Sequence, residues 1–422
     1  MNARVAAAEL LIAVMDRGRA LEDALEETAS FNALEGRDRA FARALVTAGL
    51  RRLGSVNTVL SRFLERPLPD TAYHGRALLH IGATQLLVLG TPAHAAVGET
   101  VEAANSLREA RGFAKLMNAV LRRVSRDGPE IFASLPPGSD LPPWLYTRWR
   151  AAYGESAPRI AQALLQEPPL DVSVKDDASG WAERLFGTVT PTGSVRLASP
   201  APIDTLPGFG DGAWWVQDAA AALPARLLGD MRGKRVLDLC AAPGGKTLQL
   251  AATGARVTAV DKSDARLNRL RENLARTKLS AEVIAADALE YRAREPFDAV
   301  LLDAPCTSTG TLRRHPDVAW LRRPTDVRSL AELQSKLVAA AAALLKPGAS
   351  LVYAVCSLEP EEGEGVVADA LKHGWKRETI RAGDVPGADE FITAAGDLRT
   401  LPAHWPEIGG LDGFYAARLV RN

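Results

Sequence analysis

Three stretches of this 422-residue chain carry residues that could do chemistry: DLCAAPGGKT (238–247), DAPCTSTG (303–310) and LVYAVCSLEPEE (351–362). Each holds one of the chain's three cysteines, Cys240, Cys306 and Cys356, and each begins in or just after an apolar run that reads as a buried strand. The first nearly spells a phosphate-binding loop, with Gly245, Lys246 and Thr247 in place. Cys240, however, stands where the leading glycine must let backbone turn around phosphate. That counts heavily against a nucleoside triphosphatase, although FDAVLLD (297–303) resembles the strand and aspartate that hold magnesium in such enzymes. A GxGxxG dinucleotide fingerprint is also missing.

The elements that must position these residues follow from the alternation after Lys234. Strands are expected at RVLDL (235–239), RVTAV (256–260), AEVIAA (281–286), FDAVLLD and ASLVYAV (349–355). Helices are expected over 247–252, 264–277 and 325–345. This order predicts a doubly wound, mostly parallel sheet that binds ligands at the carboxyl ends of its strands. The rim of such a sheet would be lined by Cys240 to Lys246, Asp261, Asp287, Asp303 to Cys306, and Cys356. An acid ending the second strand, Asp261, is placed to accept ribose hydroxyls.

A nucleoside ligand without a phosphate chain is therefore expected, and S-adenosylmethionine fits. Ala241, Ala242, Gly244 and Gly245 are small enough for backbone to approach its amino-acid end, while the carboxylates suit ribose, adenine amine and ammonium. The rim thiols add a second element. Carbon 5 of cytosine is a poor nucleophile, but a thiolate added to carbon 6 makes it enamine-like, so one hard step becomes two easier ones. Cys240, closing the first strand, reads as a packed small hydrophobe whose backbone alone meets the cofactor.

In front of the sheet, residues 1–130 read as helices only, with sixteen arginines against one lysine. Arg51, Arg52 and the series Arg108, Arg111, Arg122, Arg123 and Arg126 could contact phosphates. Val5, Leu10, Leu11, Val14 and Met15 recur at helical spacing around Glu9, which reads as an amphipathic helix rather than a signal peptide. Pro136, Pro137, Pro142 and Pro143 mark a boundary. Beyond it, a helix over 144–165, a strand over 170–174 and a helix opening in WWVQDAAAAL, capped by Asp218, make a mixed region.

The whole chain carries 51 basic and 51 acidic residues, so any grip on nucleic acid must come from local patches. No run approaches a membrane span, and no His/Cys cluster has metal-ligand spacing, so neither membrane nor metal is expected. Three widely spaced free thiols suit the reducing cytoplasm.

Together the three stretches, the second extended to DAPCTSTGTLRRHPDVAWLRR, resemble the RNA cytosine-5 methyltransferases of the NOL1/NOP2/Sun type. GATQLLVLGTPAHAAVGETVEAA and KLMNAVLRRV are similar to the NusB-like helical domain that a bacterial 16S ribosomal RNA branch of that family carries in front. The resemblance implies a multidomain chain: an all-α NusB-like RNA-binding domain over 1–130, a small α+β linker subdomain over 131–225, and an α/β Rossmann-like class I methyltransferase domain over 226–422. It implies methylation of a cytidine at carbon 5 in 16S ribosomal RNA, free or in early assembly, by a monomer. Modification of tRNA, or RNA binding without catalysis, are the alternatives.

The same resemblance implies the roles. Cys356 would be the nucleophile and Cys306 would help release product; Asp303 and Lys246 would orient the base and the methionine end. Asp261 and Asp287 would hold ribose and adenine, with Cys240, Ala241, Ala242, Pro243, Gly244 and Gly245 along the cofactor. Arg313, Arg314, Arg322 and Arg323 would meet RNA phosphates. The chain departs from the family pattern at Val355, where threonine is usual, at Thr307 and Ser308, in DVSVKDD (171–177), and at Pro224.

Overall fold

The computed structural model describes residues 2–197 and 202–421. The chain divides into two compact units, Met1–Gln166 with Leu312–Arg323, and Glu167–Thr311 with Pro324–Asn422.

The first unit is helical throughout. Its opening helix, Ala3–Met15, is capped by Asn2, whose side chain accepts the Arg4 amide at 2.8 Å. Ten of its thirteen residues are buried, so the helix expected to be amphipathic is a central one packed by Gly36–Arg51, Tyr73–Leu87 and others. Alanines at 6, 7, 8 and 13 let the neighbouring helices approach on the sides that leucine and valine leave. The expected helix over 144–165 is two, Pro143–Tyr153 and Ala157–Ala163. Gly154 at φ +51° breaks it, and Pro158 in the first turn of the second helix needs no donor there. The stretch Leu312–Arg323 belongs to this unit: Asp317 accepts the Leu21 amide at 3.0 Å, the Trp320 indole donates to Leu50 O at 3.0 Å, and Arg51 donates to Arg313 O at 2.9 Å.

The second unit begins with a four-stranded antiparallel sheet in the order β2-β3-β1-β4. Its strands are β1 (Leu170–Val174), β2 (Thr188–Val189), β3 (Val195–Leu197) and β4 (Trp214–Val216). β4 occupies the start of the stretch expected to open a helix capped by Asp218, and that helix is shorter and later than expected. Trp214 and Trp215 are buried against the pairing with β1, and only Leu223–Arg226 is helical beyond, because Pro224 supplies no amide donor to a longer helix. Asp218 does accept an amide, that of Ala220 at 2.8 Å.

The larger sheet comprises β5 (Arg235–Leu239), β6 (Arg256–Asp261), β7 (Glu282–Ala285), β8 (Phe297–Asp303), β9 (Leu345–Val355), β10 (Trp375–Arg377), β11 (Leu398–Thr400) and β12 (Phe414–Arg421). The order is β10-β12-β9-β8-β5-β6-β7, with β11 paired to β12. β5 to β9 run parallel as expected, and β12 adds antiparallel to β9. The helix expected over 325–345 ends at Ala341, and β9 begins at Leu345. Strand order reverses between β5 and β8, so the crevice predicted for a ligand opens beside the loops carrying Cys240 and Cys306.

In the helical unit, His80 is buried between Gly49 O and the Asn57 side chain, and burial pushes its pKa down to about 4. The unfolded chain therefore binds a proton that the folded one refuses between about pH 6.5 and 4, and stability is lost as pH falls through that window. Relative to His80→Gln, the wild type should lose up to about 3 kcal/mol over it. Urea unfolding at a series of pH values checks this, and parallel curves for the two proteins would contradict it.

Candidate active site

Three consecutive strand ends build the site. After β5 the chain enters the left-handed region at Cys240 (φ 60°), an uncommon conformation for a non-glycine residue, and reaches Gly244 at φ 108° before the helix Gly245–Ala252. A Cβ at Gly244 would stand 2.2 Å from Leu270 Cδ1, so glycine is required there on two counts. Gly245 differs: a Cβ would meet only Gln217, at an ordinary 3.5 Å. Packing within the protein does not demand that glycine.

Lys246, in the first turn of that helix, reaches across to the end of β8. Its Nζ donates to Asp303 Oδ2 at 2.6 Å and lies 5.1 Å from the centre of the Phe414 ring. Burial works against the ammonium, but the charge and hydrogen bond of Asp303 outweigh it, and the lysine pKa stands above its ordinary value. Lys246 is therefore held charged with its carboxylate beside it.

The parallel pairing of β8 with β9 sets Asp303 against Ala354 and sends both following loops off the same edge. As a result the Cys306 and Cys356 sulfurs lie 3.4 Å apart. Ser308, itself at φ 59°, turns its hydroxyl to within 3.8 Å of Cys306 Sγ. Gly310 donates to Cys356 O at 3.0 Å and passes so close to Gly413 that a Cβ would lie 1.9 Å from Gly413 O. The two thiols are unequal. The hydrogen bond from Cys306 holds Cys356 below the usual thiol range, helped by Ser308 and the Lys246 charge against burial and Asp303. The same hydrogen bond, then burial, pushes Cys306 well above that range. Cys306 is buried and its upward shift favours the thiol; Cys356 is half-buried and its downward shift makes it the more readily ionised of the two. Burial pushes Cys240 up to about 12, in keeping with an inert packed thiol.

Sequence-expected residues fall as follows. Cys240, Ala241, Ala242, Pro243, Gly244, Gly245, Lys246, Asp261, Asp303, Cys306 and Cys356 all lie at the carboxyl ends of β5, β6, β8 and β9. Asp287, just past β7, is exposed and accepts the Leu289 amide at 2.8 Å. Asp261 has a task its position in sequence did not reveal: its oxygens accept the Ala242 amide at 3.2 Å and the Ser263 amide at 2.9 Å, bracing the first loop. The Arg266 guanidinium also lies 3.6 Å from Oδ2, so Oδ1 has the freer accepting capacity. Arg313 corrects an expectation: at 1% exposure it offers no guanidinium to a phosphate, whereas Arg314, Arg322 and Arg323 are half-buried or exposed. Sequence reasoning passed over Glu362, Ser357 and Gln334, which close around the cysteine loops, and Arg266, whose guanidinium caps Ala242 O.

Known proteins resemble the chain over its whole length. Residues 225–420 match the family described as 16S rRNA methyltransferase RsmB/F, and residues 1–126 match the NusB family. Ribosomal RNA small subunit methyltransferase B of Vibrio cholerae is 38% identical over 441 residues, covering 100% of this chain and 98% of that protein. The Erwinia tasmaniensis protein of the same name is 35% identical, covering 100% of this chain and 99% of its own length. The chain belongs to the ribosomal RNA small subunit methyltransferase B family. A solved methyltransferase homologue from Pyrococcus horikoshii superposes with a TM-score of 0.54 at 25% identity, covering 67% of this chain and 100% of that one. Like its family, the chain is an RNA methyltransferase that uses S-adenosylmethionine.

The residues present suit that cofactor: an open glycine at 245, a tightly turned loop from Cys240, and carboxylates at the ends of β6 and β8 with Asp287 just past β7. Alkylation by iodoacetamide tests the inequality of the thiols. Cys356 should be the one modified in the folded protein, with a pH midpoint below an ordinary thiol, and Cys306→Ala should move that midpoint upward. Preferential modification of Cys306, or an unmoved midpoint, would contradict the hydrogen-bond assignment.

Proposed function

We propose that this chain methylates carbon 5 of a cytidine in 16S ribosomal RNA through a covalent bond from Cys356 to carbon 6. The observation that carries the reading is the pair of thiols 3.4 Å apart at the ends of β8 and β9, Cys356 shifted down and Cys306 up. The ribosomal substrate is supported by the names of full-length relatives. The cytoplasm, where thiols stay reduced, is the expected compartment.

The target base must leave its stack, because its reactive edge is otherwise shielded. Arg314, Arg322 and Arg323 are the proposed phosphate contacts, together with arginines of the NusB-like helices. The ion-paired Lys246 and Asp303 take the polar edge of the base: the ammonium donates to the ring nitrogen and the carboxylate accepts from the exocyclic amine. The Cys356 thiolate adds to carbon 6, and the displaced electron pair makes carbon 5 nucleophilic while Lys246 stabilises the charge on the ring. S-adenosylmethionine supplies an electrophilic methyl carbon.

Adduct formation turns Cys356 into a neutral thioether, which removes the largest cause of the raised Cys306 pKa although burial remains, and brings the Cys306 thiol closer to releasing its proton to solvent. Cys306 then takes the proton from carbon 5 as the bond between carbon 6 and sulfur breaks. This restores a protonated Cys306 donating to a Cys356 thiolate.

Methyl incorporation from labelled S-adenosylmethionine into unmodified 16S RNA, with denaturation-resistant protein–RNA adducts scored alongside, tests the scheme. Cys356→Ala should lose at least a thousandfold in rate with no adduct, while Cys306→Ala should accumulate adduct with slow turnover. A Cys356→Ala enzyme that retains activity, or a wild type that methylates tRNA and not 16S RNA, would overturn the assignment.

A further inference from the structure

Glu362 is a buried carboxylate that the chemistry above does not use. It lies in the π-helical turn Glu361–Gly365, just past Cys356, and its residue is 0% exposed. One oxygen, Oε1, accepts two N–H donors, the Thr307 amide at 2.9 Å and the Gln334 side-chain amide at 3.0 Å. The other, Oε2, accepts two hydroxyls, that of Thr307 and that of Ser357, the latter at 2.5 Å. Thr307 follows Cys306 and Ser357 follows Cys356. A single side chain therefore grips the residue after each thiol.

The carboxylate is itself fixed from both sides. Tyr353 of β9 donates to Glu362 O at 2.5 Å, and Gln334, on the helix Pro324–Ala341, also donates to Pro305 O at 2.8 Å in the Cys306 loop. All four partners of the carboxylate are neutral donors, and they fill its four lone-pair sites. Burying a carboxylate among neutral groups costs stability that an apolar side chain of similar size would not. That cost is offset by the four donors it holds in place.

We propose that Glu362 is a positioning residue that sets the separation of Cys306 and Cys356. Cys306 can donate to Cys356, and later act on carbon 5, only while both loops stay in register, and the Glu362 carboxyl group accepts from both post-cysteine residues, whose own hydroxyls lie 3.1 Å apart. The kinetic consequence rests on the function proposed above; the geometric one does not.

Two variants separate positioning from bulk stability. Glutamine keeps the length of the side chain: its oxygen can face the two N–H donors, and its NH2 can face the two hydroxyls, which rotate to accept. Glu362→Gln should therefore stay within about threefold of wild type. Alanine removes all four bonds. The readout is the rate at which the azo oxidant diamide closes a Cys306–Cys356 disulfide, two thiols giving up two hydrogens to the azo bond, measured in a Cys240→Ser background by mass spectrometry. Closure should be at least tenfold slower in Glu362→Ala and near normal in Glu362→Gln. The alkylation midpoint of Cys356 should rise in the alanine variant alone. In turnover, Glu362→Ala should lose kcat at least tenfold, with KM for S-adenosylmethionine within twofold of wild type.

If Glu362→Ala does not fold, Glu362→Asp takes its place, since one methylene less draws the loops out of register and should slow closure by an intermediate factor. Wild-type closure and an unchanged midpoint in a folded alanine or aspartate variant would overturn the proposal. Slowed closure in a protein whose wild type transfers no methyl group would instead uphold Glu362 and remove the enzymatic reading.

Discussion

The site depends on one contact, the hydrogen bond between two thiols on adjacent parallel strands. Parallel neighbours run about 4.8 Å apart with their carboxyl ends on the same edge, so loops leaving β8 and β9 start side by side. Two cysteines separated by fifty residues in sequence thus meet without any long-range loop having to find its partner. In that arrangement one thiol can donate only if the other accepts. The pair is unequal before any substrate arrives, with the more accessible sulfur the more readily ionised.

The surroundings maintain that polarity. Lys246 brings a positive charge from the neighbouring β5 end, and Asp303 neutralises it enough to let it be buried. A lone buried lysine would be driven toward its neutral form, and a lone Asp303 would push Cys356 back toward the thiol. As a pair they leave a local field that the base can use, with the ammonium available to stabilise charge as it develops on the ring. The close pass of Gly310 over Gly413 fixes the backbone that carries Cys356 O, so the Cys306 loop is tied both at its side chains and at its main chain.

Much of this was legible from residues alone. The strands at 235–239 and 297–303 and the helix at 264–277 occur as their apolar pattern and capping residues indicate, because each is long, periodic and local in cause. The rim positions followed from the strand ends. What was not legible depended on partners distant in sequence. Trp214–Val216 is a strand because β1 pairs with it, against the helical preference of the alanines that follow. The helix at Ala3–Met15 looked amphipathic because small alanines do not announce that a second and third face are covered. Arg313 looked like a phosphate contact because a basic run gives no sign of which member turns inward. Glu362 sits in the acidic run EPEE, where a solvated charge is the ordinary reading, and only the folded loops show it facing four donors.

The central claim is that Cys356, and not Cys306, bonds to the base. A 16S RNA transcript carrying 5-fluorocytidine tests it most directly, since fluorine on carbon 5 cannot leave as a proton does and the adduct cannot resolve. After reaction with S-adenosylmethionine and digestion, mass spectrometry of the cross-linked peptide identifies the attached cysteine. The account requires a methylated fluorocytidine on the peptide that contains Cys356. The same adduct on the Cys306 peptide, or methyl transfer to ordinary cytidine with no adduct on either cysteine, would contradict it.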